Sequence, residues 1–448
     1  MKKLSYWLFA LLLPVVTLVV LLSFFSVDAP LSDDYDAVLA YLVKPFPERL
    51  LHLADFHNEH RIATARIVFE SVYWIFGRIN FRACMAVGAT FLLGYGLLFH
   101  VVFRDAGNIA KMYYIPCIWA IVSVLNYDNV CWAMTSVSNI PVLFWTLSAI
   151  ILFAKRNGNT PKRMGVAGGV VCAALATFST GGGLFSWAGL YFVLFHERLV
   201  EKGGWGRAWV SRKDIRCLLS LDFLVVTTSF LLCASLYLVG VGEATSKEPT
   251  CIVNMTLFFL SFLGAIIPVF SVSVLIGVGV LCAIVYLVAT LPRQRNTILL
   301  AFLLCLVLCV GAATPFRSSD VTAALPGRYR IIPISIAVSL FVAFLPQLRF
   351  KTQKAHLFCS VVLSCIVFAY LAAFSAVSLR SLNERNDIVR KMMARWNKDV
   401  SCIEIEKGNG RRFAALLREA VEKGVYNPGV VDDPHKITAS SPVEKPVD

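Results

Sequence analysis

Charge is scarce in this chain. Asp, Glu, Lys and Arg together make up 16% of its 448 residues, against 58% hydrophobic residues. A soluble globular domain carries about 25% charged residues, so a water-facing surface over the whole chain is excluded. There are 13 cysteines but no Cys-x-x-Cys pair and no metal-ligand spacing. Most lie in apolar runs, as Cys305 and Cys309 do, where a thiol acts as a small hydrophobe, so disulfide frameworks and zinc modules drop out. Internal repeats are absent, no nucleic-acid module is visible, and the apolar runs hold almost no ionisable groups. The last point argues against a transporter, which needs charged or broken helices at mid-membrane.

Long apolar runs recur from Leu4 to Val377, and the mean hydropathy is +0.70. These define an all-α polytopic membrane protein. Windows of about 20 apolar residues predict about eleven spans, near 5–26, 82–103, 112–126, 139–154, 164–179, 183–195, 216–240, 269–291, 297–313, 331–346 and 356–377. The first run follows Met1-Lys2-Lys3, is long enough to span and lacks a small-residue cleavage pattern, so it reads as a retained helix with a cytoplasmic N-terminus. Residues 62–76 and 255–270 are also apolar. Counting them as outer, interfacial helices keeps Lys155, Lys162, Arg163, Arg198 and Lys354 on the cytoplasmic side, where short loops collect basic residues. The net charge of +14 then reports orientation against anionic lipid.

The expected organisation is a first transmembrane helix (1–26), an extracytoplasmic loop with amphipathic helices (27–81), the remaining bundle (82–377) and a polar tail (378–448). In the tail, 381–398 and 411–423 look helical and the Pro-rich end reads as disordered; a lid or partner-docking role is expected. Cys131, Cys251 and Cys402 fall outside the bilayer in this topology and could pair.

Acids and bases from distant segments converge on the outer side. The first loop carries Ser-Asp-Asp-Tyr-Asp with Asp33, Asp34 and Asp36, then His57-Asn-Glu59-His60-Arg61. Glu59, Arg66 and Glu70 are spaced by seven and four, one stripe of a helix, with Arg66 and Glu70 as a structural ion pair. The turn Ser-Thr-Gly-Gly-Gly (179–183) and a late loop with Arg317, Asp320, Arg328, Tyr329 and Arg330 join them. Such a face suits sugar transfer from a phosphate-linked lipid: a carboxylate (Asp33, Asp34 or Asp36) accepts the acceptor's proton, and Arg61, Arg328 and Arg330 stabilise the departing phosphate. Duller readings compete. Asp and Ser also start helices, Ser-Thr-Gly-Gly-Gly also makes tight turns, and His52, His57 and His60 lack a fourth zinc ligand.

The short first helix ending in SDDYD, the HNEHRI stretch, FSTGGGLFSW, the late PGRYR and the tail phrase LREAVEKGVYNP resemble bacterial polytopic glycosyltransferases of the GT-C type, most of all the serotype-converting O-antigen glucosyltransferases of the Gtr group. The resemblance implies a GT-C-like fold in the bacterial inner membrane and a periplasmic active face. It also implies a polyprenyl-phosphate sugar donor, usually undecaprenyl-phosphate glucose, inversion at the anomeric carbon, and a surface polysaccharide such as O-antigen as acceptor. On that basis Asp33, Asp34 or Asp36 is the base; from the outer-face cluster itself, His57, Glu59, His60, Arg61, Arg328, Tyr329 and Arg330 are expected to bind substrate. No cofactor is required; two adjacent aspartates leave dependence on a divalent metal open. The rival classes are a flippase or transporter of lipid-linked saccharides, an O-antigen acyltransferase with His57 or His60 as base, and a polymerase or ligase.

Overall fold

The computed structural model describes residues 3–155, 162–201, 220–240, 251–290, 296–322, 325, 327–345, 352–395 and 410–428. The basic loops at 202–219, 291–295 and 346–351, Cys402, and the Pro-rich end lie outside them. The described chain is almost entirely helical, with one two-stranded hairpin, β1 (Phe56–His57) against β2 (His60–Arg61).

Helix α1 (Lys3–Val20) runs into a wider turn, Leu21–Phe25. Then come α2 (Ala63–Phe76), α3 (Phe81–Asp105), α4 (Tyr114–Ile121), α5 (Ala133–Ala154), α6 (Lys162–Thr177) and α7 (Phe185–Glu201). The second half holds α8 (Leu221–Leu238), α9 (Ile252–Leu263), α10 (Phe270–Ala289), α11 (Thr297–Arg317), α12 (Ile331–Phe344), α13 (Gln353–Arg395) and α14 (Gly410–Glu422).

Eight described helices are long and apolar enough to cross a membrane, fewer than the eleven expected. Of the other three predicted spans, 164–179 and 183–195 coincide with α6 and α7, of 16 and 17 residues. The span at 112–126 is broken: α4 has eight residues, because the Asn126 amide donates to the Ile121 carbonyl at 2.7 Å and ends the helix. Residues 62–76 form α2, whose buried side is Ala65, Arg66, Phe69 and Val72. Residues 255–270 do not form one helix. They end α9 and turn into α10, against which α9 packs so closely that a Cβ on Gly277 would sit 1.9 Å from the Leu260 carbonyl oxygen.

The bundle is built around α5, 72% of whose apolar window is buried, with α3, α6, α7 and α11 packed on it. At one end Lys155 pairs with Asp105 (3.2 Å) and Lys162 with Asp222 (3.3 Å). The opposite end carries the first loop, the start of α5, the α6–α7 turn, the end of α11 and the start of α12.

A second core sits on that opposite end. Val38, Leu39, Phe69, Phe81, Met392, Phe413 and Leu417 are buried together, so loop one, the end of α13 and α14 form a cap. The tail is therefore not set apart from residue 378. Helix α13 is continuous over 43 residues, about 65 Å at 1.5 Å per residue, and carries its polar half beyond a hydrocarbon layer of about 30 Å. Helix α14 closes the cap: Phe413 stacks on Tyr35 (4.6 Å between centroids), and the Tyr426 hydroxyl donates to the Asp28 carbonyl at 2.9 Å. Cys131 and Cys251 are both free, the first buried and the second exposed, so they do not pair.

Candidate active site

The three aspartates of the first loop go to three different places. Ser32 takes a left-handed backbone (φ 46°), which turns the chain so that Asp33 and Asp34 face apart. Asp34 is fully buried and accepts from the backbone N–H of Leu31 (3.0 Å) and of Met134 (2.8 Å), tying the loop to the first turn of α5. Burial pushes its carboxyl up to about 8. Asp36 accepts from Arg412 of α14 at 2.6 Å, a contact of the cap. Asp33 alone reaches a cavity of about 530 Å³ at the capped end of the bundle, within the 300–1,000 Å³ typical of ligand sites.

The His57–Arg61 segment is a hairpin, not a helix start. Asn58 adopts φ 51°, a left-handed conformation that Asn tolerates in tight two-residue turns. Cross-strand pairing of His57 with His60 sends both rings to the same side, and both line the cavity. His57 Nε2 stands 3.9 Å from Asp33 Oδ1. Burial lowers the pKa of both imidazoles, favouring the neutral form despite the nearby carboxylates.

Of the other pair, Phe56 also lines the cavity, whereas Arg61 does not. Arg61 lies 4.2 Å over the Phe56 ring and donates to the carbonyls of Ala54, Val239 and Tyr237, the last at 2.9 Å. Two of its nitrogens, Nε and Nη2, join loop one to the end of α8 and the third, Nη1, bonds within loop one, so it is engaged with backbone carbonyls and not at hand for a phosphate. Since α2 begins at Ala63, Glu59 does not share a helical stripe with Arg66 and Glu70. Glu70 pairs with Arg49 instead (3.2 Å), and Arg66 donates to the carbonyls of His52 (2.8 Å), Leu53 (3.2 Å) and Asp55 (2.8 Å).

Glu59 belongs to the cavity wall. It accepts from Arg317, in the last turn of α11, at 2.8 Å, and Arg317 also donates to the Tyr329 hydroxyl at 2.7 Å. Arg328 lines the same wall between two rings, 5.4 Å from Trp132 and 5.0 Å from Tyr329. Arg330, next but one in sequence, is 8% exposed and does not line the cavity.

The glycine run lines the cavity through Thr180, Gly181 and Gly182, with Gly181 against His60 of the hairpin. Its third glycine is fixed by packing: a Cβ on Gly183 would lie 1.8 Å from the Ala176 carbonyl oxygen. The Thr64 amide donates to the Phe178 carbonyl (3.1 Å), so this turn is also held by α2.

Further along α5 the lining is mostly apolar, with Val142, Leu143, Phe185, Leu306, Cys309 and Ile332 beside the hydroxyl of Thr146. Among the expected site residues, Asp33, His57, Glu59, His60, Arg328 and Tyr329 meet here, while Asp34, Asp36, Arg61 and Arg330 do not. The sequence reading placed Arg317 in the late loop without a site role, and it did not single out Thr135, Ser138, Asn139 and Thr146 of α5. Those four share one helical face, a polar stripe on a span rich in apolar residues. Among the described residues no group of three His, Cys, Asp or Glu side chains is placed to hold a metal. Comparison with protein-family models and with curated proteins returned no match to this chain.

Proposed function

We propose that the protein is an inverting membrane glycosyltransferase that moves a sugar, glucose in the first instance, from a polyprenyl-phosphate donor to O-antigen or a related surface glycan on the periplasmic face of a bacterial inner membrane. One observation carries the reading: a carboxylate, Asp33, with His57 beside it, and a guanidinium, Arg328, face one cavity whose lining is otherwise mostly apolar. A lipid-held phosphosugar needs that combination of polar groups and apolar lining.

In this reading Asp33 takes the proton of the acceptor hydroxyl as its oxygen bonds to the anomeric carbon from the side opposite the phosphate. The bond from that carbon to the phosphate oxygen breaks, and its electron pair leaves on the lipid phosphate beside Arg328. His57, neutral and close to Asp33, orients the carboxylate; Glu59 and Arg317 hold the hairpin against the wall. Eleven crossings, with α4, α6 and α7 counted among them, put the basic ends of α5 and α6 in the cytoplasm and the cap outside. The lining further along α5 contains no Asp, Glu, Lys, Arg or His, which favours a lipid-borne substrate over a charged permeation path.

Mass spectrometry of the surface polysaccharide from cells with and without the protein tests the reading. A hexose gained per repeat, lost with Asp33→Asn, is the expected result; a change in chain length, an added acyl group or no change would overturn it.

A further inference from the structure

Beside the cavity, the turn Gly327–Tyr329 lies against the short helix Tyr127–Val130, and an imbalance of charge results. Asp128 accepts from Arg385 of α13 at 2.9 Å, and Arg385 also donates to the Cys131 carbonyl at 2.8 Å. Arg328 and Arg330 both act on the same carboxyl group, yet among the described residues the one ion pair in the cluster is Asp128–Arg385. The Nε atoms of Arg328, Arg330 and Arg385 are all buried without a hydrogen-bond partner. Arg317, the next cation along the wall, is already matched by Glu59.

Among the described residues the three guanidinium groups act on Asp128, and the second carboxyl group that feels Arg385, Asp34, is kept protonated by burial up to about 8; below that pH two positive charges are left over where Arg330 is 8% exposed. Burying charge without a partner is unfavourable, so a set of this kind is complete only with an anion in place. A phosphodiester, such as a lipid phosphate still carrying a sugar, brings one negative charge. A phosphomonoester brings two near neutral pH, once its second proton has gone.

We propose that the Arg328–Arg330–Arg385–Asp128 cluster is a phosphate-dianion site that prefers a lipid phosphomonoester over the corresponding diester. The proposal rests on the transfer reading only for the origin of that monoester. Arg328, on the cavity wall, makes the contact. Arg330 and Arg385 are positioning residues that act through the field of the cluster. Charge that grows on the phosphate as the sugar departs is then stabilised more than the charge present at the start, which is what accelerates a transfer step.

The test uses the full chain in lipid nanodiscs at pH 7, with calorimetric titration of farnesyl phosphate, its methyl diester, farnesol and inorganic phosphate. The monoester should bind about tenfold or more tightly than the diester, the factor expected for one extra charge-assisted contact. Arg330→Gln should weaken the monoester more than the diester and so bring that ratio towards one, and Arg330→Lys should restore part of it. Equal affinities in the wild type, or an unchanged ratio in a folded Arg330→Gln protein, overturn the proposal. If Arg330→Gln does not fold, Arg385→Gln decides: a fall in the ratio supports the site, and an unchanged ratio overturns it. Competition by inorganic phosphate at the same strength as farnesyl phosphate keeps the dianion site and makes free phosphate its occupant. Discrimination in a protein that adds no sugar supports this site and overturns the transfer reading; sugar transfer without discrimination does the reverse.

Discussion

Glu59 accepts a 2.8 Å hydrogen bond from Arg317, which stands 258 residues further along the chain. Arg317 passes the connection on to Tyr329 at 2.7 Å, so the first-loop hairpin, α11 and the start of α12 share one polar wall. The pair is about one-third exposed, and screening makes its direct worth in stability small. Its effect is geometric, because it sets where the hairpin holds His57 and His60.

Arg317→Ala removes both bonds and should lower transfer by about 100-fold, the cost of misplacing a reacting group by about 1 Å. Glu59→Gln keeps a hydrogen-bonding partner and should lose less. Rate measurements in membranes of matched protein content check this. Wild-type rates in Arg317→Ala would detach the clasp from function.

Asp33→Asn should reduce transfer by about 10²–10⁴-fold at normal protein level, the usual contribution of a general base. Asp36→Asn should keep most of the activity, since it removes an exposed cap ion pair with Arg412. Asp34→Asn should lower the amount of folded protein and leave the activity per molecule largely intact. Equal loss in Asp33→Asn and Asp36→Asn at equal protein content would contradict the separation seen in the fold.

Asp34 also gives the protein a pH dependence. Its carboxyl holds a proton up to about 8 when folded, whereas an unfolded aspartate releases it near 3.8. Between those values the folded state binds more protons, so this group's contribution falls as pH rises through the window and is lost above about 8. Buried His57 and His60, lowered from 6.5, work in the opposite sense and remove stability as pH falls below 6.5. Between pH 6.5 and 8 Asp34 should dominate. Melting curves of Asp34→Asn should be lower at pH 7 yet flatter from pH 6.5 to 9; an undiminished alkaline decline would assign it to another group.

Phe413→Ala should cost about 3–5 kcal/mol, the range for truncating a buried aromatic ring. Phe413 is 3% exposed and stacks on Tyr35. Hydrogen exchange should rise in residues 27–43 and 410–428 with little change in α5. A uniform response across the bundle would mean that the cap is not a separate core.

Legibility differed from residue to residue. The Asp33 and Arg328 segments could be seen as outer-face groups, because polar residues flanking apolar runs stand out against the bilayer requirement. Arg61 and Arg328 could not be told apart by type. Arg61 is consumed by carbonyls at the end of α8, 176 and 178 residues away, and no local pattern announces that. Arg66 and Glu70 fit an i,i+4 pair by spacing, yet Glu70 pairs with Arg49 of the short helix Phe46–Leu51. The tail helices were legible from their periodicity. Their destination was not, because Phe413 had to find Tyr35 across most of the chain.

The sequence by itself determined an all-α membrane protein with polar groups collected at one end, because the bilayer forces backbone bonds into helices and makes each buried charge expensive. Only the tertiary structure decided which of three neighbouring aspartates meets the cavity and which arginine lines it. Those choices depend on carbonyls, rings and carboxylates brought together from distant segments, and such partners are set by packing in three dimensions, not by spacing along the chain.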